Sequence, residues 1–327
     1  MGRLRRAIGL VGVGAALLAV LSTPVAIAEE SAVQQIDEAL QNITALVQPG
    51  KVGYATFWDG NKFIQCRRLL DRQTRCEAAG STMQPSLKSI LTGERLTRLT
   101  TLGWTLDPSF GNYTRTFPAD APTAHVATEI LRTLVDAYGA NEAGLELQTA
   151  WVLDIPCPPR AGPSQNLAGS VNDARSMRAV TIHTCSFVPH ASEPAVLTEQ
   201  SLDGLRELYG GRIAAEIQRI RLNRNRNVYV IFDAGIGYIQ CMPQTPPAIY
   251  CEAQSVESWA ALSAVLTPER VSLLHNAGYA DPGRAPNYSK TYTIGPDTDR
   301  TVADEVLTIL HAVYGYTGKI ALKIKTD

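Results

Sequence analysis

Ile64-Gln65-Cys66, nine residues, then Cys76-Glu77-Ala78 is a pattern that returns 175 positions later as Ile239-Gln240-Cys241 and Cys251-Glu252-Ala253. A cysteine pair that recurs at unchanged spacing inside matching flanks marks a duplicated folding unit. The likeness extends well beyond the cysteines. Leu91-Thr92-Gly93-Glu94-Arg95 matches Leu266-Thr267-Pro268-Glu269-Arg270, Gly103-Trp104 matches Gly278-Tyr279, and Asn112 to Phe117 matches Asn287 to Tyr292. Ala127, Glu129 and Tyr138-Gly139 match Ala303, Glu305 and Tyr314-Gly315 at an offset of 176, the drift expected of a single insertion in a loop. The period is too long for a solenoid of short repeats and implies two similar domains. Residues shared by both copies are expected to be scaffold, and specificity is expected where the copies differ.

The first residues read as an export signal. Arg3, Arg5 and Arg6 precede an apolar run from Ile8 to Leu21, and Ala26-Ile27-Ala28 offers a small-residue cleavage site. The run is short for a membrane helix, and no later run is long enough to span a bilayer. Cleavage after Ala28 removes three arginines and no acids, taking the formal charge from −1 to −4. A mildly acidic chain gives no electrostatic reason to expect nucleic acid or an anionic membrane as a partner.

Six cysteines behind such a signal read as three disulfides. The duplication favours Cys66–Cys76 and Cys241–Cys251, each closed within its own copy, which leaves Cys157–Cys185. A zinc site from Cys157, His183, Cys185 and His190 is the rival reading, but its spacings are irregular and export favours oxidation. No metal and no cofactor are expected.

Hydrophobic periodicity gives each copy the same order of elements. A helix (Ser31 to Val47; Leu202 to Leu222, the latter with Leu205, Leu208, Ile213, Ile217 and Ile220 on its apolar face) precedes three short strands, a helix capped at Thr92 or Thr267 and stopped at Gly103 or Gly278, a strand, and a long last helix. In the second copy a final strand is expected to turn Ile320, Leu322 and Ile324 inward and lysines outward. The expected class is α+β: two homologous tandem domains, each a curved antiparallel sheet with packed helices. The expected divisions are a signal at 1–28, the copies at 29–149 and 201–327, and a central segment at 150–200. That segment, without a second copy, is expected to form a disulfide-tied hairpin, with Leu145 to Ile155 going out, a short helix from Ser164 to Arg175, and Arg178 to Val188 returning.

No catalytic signature is present: there is no G-x-S-x-G, H-E-x-x-H or C-x-x-C, and no glycine loop opens a helix. The central loop, with Arg160, Gln165, Asn166, Asp173, Arg175 and His183, is the candidate binding site, because a stapled loop lowers the ordering cost of a ligand. The run Arg219, Arg221, Arg224, Arg226 is expected to be a solvated helix end that offsets the dipole. Asn42, Asn112 and Asn287 begin glycosylation sequons, the last two in repeated positions that favour a structural role.

The grammar L-T-x-E-R, G-[WY], N-Y-[ST]-[RK] and a last helix closing on Y-G resembles actinobacterial proteins with TY-Chap-type domains, related to type III secretion chaperones and YbjN proteins. The resemblance covers roughly 51–149 and 227–327 and implies an α+β domain that binds segments of partner proteins through a sheet or helix face. Together these features lead us to expect an exported, non-enzymatic protein-binding or assembly module located outside the cytoplasm. The alternatives are a hydrolase or lyase with His183 as base and Arg160 as anion clamp, and an envelope structural protein.

Overall fold

A computed structural model describes residues 31–46, 50–108, 111–153, 171–172 and 198–326. In the first copy, helix α1 (Ala32–Ala45) is followed by strands β1 (Lys51–Asp59), β2 (Lys62–Arg68) and β3 (Thr74–Ala78), helix α2 (Gly93–Thr101), strands β4 (Thr105–Asp107) and β5 (Asn112–Phe117), helix α3 (Thr123–Asp136) and strand β6 (Glu146–Leu153). The second copy runs α4 (Leu202–Leu205), α5 (Gly211–Leu222), β7 (Val230–Asp233), β8 (Tyr238–Gln244), β9 (Ala248–Ala253), α6 (Pro268–Asn276), β10 (Tyr288–Thr293), α7 (Thr298–Ala312) and β11 (Lys323–Thr326). The protein is therefore α+β, with two wholly antiparallel sheets ordered β4-β5-β3-β2-β1-β6 and β10-β9-β8-β7-β11. Strand for strand the two orders coincide, and β4 has its counterpart in the single bridge Ala280–Ser289.

The repeated cysteine motif is explained by strand register. Ile64 faces Ala78, Gln65 faces Glu77 and Cys66 faces Cys76, and the second copy repeats this row for row. Side chains alternate across a strand, so Ile, Cys and Ala point to the helices while Gln and Glu point away. Both disulfides, Cys66–Cys76 and Cys241–Cys251, are formed and buried within the two cores. Cys157 and Cys185 lie outside the described residues.

The other shared residues are scaffold too. Each last helix ends in a Schellman turn: Ala140 N–H donates to Leu134 O and Tyr316 N–H to Leu310 O, both at 2.9 Å. Gly139 and Gly315 take the left-handed position this turn requires, at φ 62° and 74°. The neighbouring Tyr138 hydroxyl donates to Ala79 O at 2.7 Å, and Tyr314 repeats the bond to Gln254 O at 2.6 Å. Asn112 and Asn287 each accept a loop amide (Gly80 N, 3.0 Å; Ser255 N, 3.2 Å), so both sequon asparagines hold the start of their strand.

Four expectations need correction. β6, expected to belong to a segment without a second copy, pairs with β1 along its whole length in the place β11 takes in the second sheet; the expected return strand lies outside the described residues. In register, Thr149 matches Thr326 and Leu147 matches Ile324, while Glu146 and Gln148 stand where the second copy has Lys323 and Lys325. Ile320 is 58% exposed rather than inward, because β11 starts at Lys323, opposite a β7 of only four residues. The opening helix of the second copy is interrupted by a π turn at Arg206–Gly210, whose extra residue shifts the apolar phase. Tyr209 is buried in place of the exposed Leu208. Where a helix was expected through Arg175, the described pair Val171 and Asn172 forms a turn, and Val171 O accepts the Asn61 amide at 2.8 Å.

Because Tyr138 and Tyr314 make the same bond, Tyr138→Phe and Tyr314→Phe should destabilise to a similar extent. Each leaves a carbonyl unsatisfied, buried at Ala79 and half-buried at Gln254, at about 1–3 kcal/mol. Urea unfolding of the two single variants checks this, and a large difference between them would contradict the structural equivalence.

Candidate functional site

The residues expected to form a site in the central loop, Arg160, Gln165, Asn166, Asp173, Arg175 and His183, all lie outside the described residues. The basic run is described: Arg224 is exposed as expected, but Arg219 and Arg221 are not solvated. Arg219 on α5 is 4% exposed; its Nε donates to Glu216 at 2.9 Å, its Nη2 to Tyr229 O at 3.1 Å, and its guanidinium stands over the Trp151 ring of β6. Arg221 bridges Glu38 of α1 (3.1 Å) and Asp299 of α7 (2.9 Å). These arginines join the two copies. Asn223 completes the junction on the outer edge of β6, where its Oδ1 accepts Thr149 N–H (3.2 Å) and its Nδ2 donates to Thr149 O (3.3 Å). Asn42, the third sequon asparagine, is fully buried there and donates to Ala215 O and Gln218 Oε1, both at 2.9 Å.

Glu216 is 2% exposed in this junction. Burial pushes its carboxyl up to about 7, against the opposing pull of Arg219 and Arg212.

The two copies diverge in chemistry beneath their last helices. In the first, Arg115 reaches Glu129 at 2.7 Å and lies over Phe117, while Trp104 Nε1–H donates to Thr133. In the second, Lys290 donates to both Glu305 oxygens (2.6 and 2.7 Å) and to Ala277 O (2.6 Å). Tyr292 O–H donates to Glu305 at 2.7 Å and Tyr279 O stands 3.2 Å from Tyr292 O. Burial holds both tyrosines above their ordinary range, which keeps them protonated. With its polar atoms bonded to one another, this cluster fastens α7 to β10.

Among the described residues, the face turned away from the helices is covered differently in the two sheets. In the second sheet it presents Ile231, Tyr238, Gln240, Met242, Tyr250, Glu252 and Ser289, all half-buried and none in the core cluster. Glu252 accepts from Tyr250 O–H (3.0 Å) and Asn287 Nδ2 (3.3 Å), and Lys323 and Lys325 flank the face on β11. In the first sheet the same face is partly closed, with Trp58, Phe63, Thr56 and Gln148 buried. This surface was not legible in the sequence, although strand alternation around I-Q-C and C-E-A already places Gln240 and Glu252 on it.

Among the described residues no helix is long and apolar enough to cross a membrane, and no three His, Cys, Asp or Glu side chains are grouped to hold a metal ion. Compared with known proteins, the chain matches no family model, no curated protein and no solved structure.

The junction makes stability depend on pH. The folded state raises the Glu216 pKa from its ordinary 4.5 to about 7, so folding favours the protonated form. Stability should be full below about pH 4.5 and fall as pH rises toward 7, by on the order of 3 kcal/mol. Glu216→Gln should remove this component, read as a smaller difference between urea midpoints at acidic and alkaline pH. An unchanged difference would mean that Glu216 stays ionised in the fold.

Proposed function

We propose that the chain is an exported, non-enzymatic binding or assembly module that takes a protein or peptide partner on the helix-free face of its second sheet. The observation that carries this reading is the half-exposed trio Tyr238, Met242 and Tyr250 around the Gln240–Glu252 row. Tyr and Met are enriched in protein interfaces, where an apolar body with a polar or polarizable group suits a surface that is wet until bound. The cross-strand register holds these side chains in place, so little ordering cost is added on binding. Two buried disulfides and the basic, apolar, small-residue order of residues 1–28 support an oxidising destination. The resemblance to TY-Chap-type domains supports the same class of role.

A photo-crosslinking residue at position 250 should capture a discrete partner from the native envelope fraction, and one at the exposed Thr301 of α7 should not. Adding Met242→Arg should abolish the adduct at 250. Equal capture from both positions, or an adduct indifferent to Met242→Arg, would refute the sheet face as the site.

A further inference from the structure

The disulfide-closed hairpins of the two copies have opposite character. Between Cys66 and Cys76 the chain places Arg67, Arg68, Arg72 and Arg75 against a single acid, Asp71. Between Cys241 and Cys251 it places no charged residue at all. Arg75 is engaged with Asp107 at 3.2 Å, but Arg68 reaches the Thr74 hydroxyl (3.1 Å), and Arg72 at the turn is exposed. Burial and then the neighbouring Arg72 charge both lower the Arg68 guanidinium, as expected of like charges held close. Between them Leu70 is 76% exposed, the most exposed of the large apolar side chains described.

The turn itself is defined. Leu69 N–H donates to Gln73 O (2.8 Å), Arg72 N–H to Leu69 O (3.0 Å) and Gln73 N–H to Asp71 Oδ1 (2.9 Å). Arg72 sits at φ 70°, a left-handed position that glycine fills without steric cost and in which a long side chain is uncommon. A charged side chain is thus held where the backbone favours its absence, beside an uncovered leucine, on a hairpin fixed by a buried disulfide.

We propose that this hairpin is a docking tip for a membrane surface carrying anionic headgroups, with Leu70 entering the headgroup boundary and Arg68 and Arg72 meeting the phosphates. Apolar and basic groups on one tip act together at such a surface, the former by burial and the latter by attraction to anionic lipid. A headgroup layer accepts a projecting leucine without a preformed socket, which an acidic protein would have to supply. The acidic chain as a whole does not oppose this, because screening confines each charge to its surroundings within about 10 Å.

The test uses residues 29–327, since residues 31–327 form a compact unit of their own. The protein should sediment with phosphatidylcholine vesicles containing about 30% phosphatidylglycerol, less so as salt rises, and not with phosphatidylcholine alone. Leu70→Ser and Arg72→Gly should each weaken binding roughly fivefold or more. Arg72→Gly should leave Tm unchanged or raised, so that its loss of binding is not a loss of fold. Four results would each overturn the proposal: no sedimentation, equal sedimentation with neutral vesicles, unchanged binding by either variant, or binding to polyglutamate without binding to vesicles.

Discussion

The register Cys66 to Cys76, repeated at Cys241 to Cys251, is the constraint on which both halves rest. A slip of one residue would turn every side chain of a strand to the other face, exchanging Ile64 and Cys66 for Gln65 and Arg67 in the core. A covalent bond between facing residues of adjacent strands forbids that slip. With the face fixed, α1 and α3 in one copy, and α5 and α7 in the other, find an apolar surface of defined outline. The outward residues are then free to differ between the copies.

Divergence follows that freedom. Inside, the two copies keep an ion pair from strand to last helix and change what surrounds it: Arg115–Glu129 becomes Lys290–Glu305, and Phe117 becomes Tyr292, whose hydroxyl adds a bond to Glu305. Outside, an arginine-rich hairpin stands where its counterpart is neutral, and a sheet face partly closed in one copy is open in the other. The junction between the copies is polar as well, built on Arg219, Arg221, Asn42 and Asn223. Buried charges and amides contribute less to stability than to geometry, since each has few places where all its bonds can be met.

What was legible in the sequence is what duplication recorded. Two disulfides, the α+β class, the cap at Thr267 and the structural role of Asn112 and Asn287 all follow from paired motifs, whereas Thr92 holds the N-cap position without a side-chain bond. The kinship of β6 and β11 is hard to see in the sequence because only Thr149/Thr326 and the apolar pair Leu147/Ile324 correspond, too few positions to mark a repeat without the strand register. Arg221 does not read as a buried group because its acids lie far off in the chain: Glu38 is 183 residues away and Asp299 is 78. Local context shows a charge but not its distant partner. Leu208 fell out of phase because one π turn adds a residue that periodicity does not anticipate.

The docking of Asn223 against β6 is head-to-tail: the second copy covers a strand edge of the first, and β11 is the corresponding edge of the second. A contact of this polarity, repeated between separate molecules, builds a ring where its rotation closes and a filament where it does not. On β11 that edge carries Lys323 and Lys325, with Lys325 held by Asp233 at 2.8 Å. An incoming helix end with the cationic composition of α5 would meet like charge there. The joint that unites the halves of one molecule is thereby made unattractive to its neighbours, and polymerisation is discouraged by electrostatics.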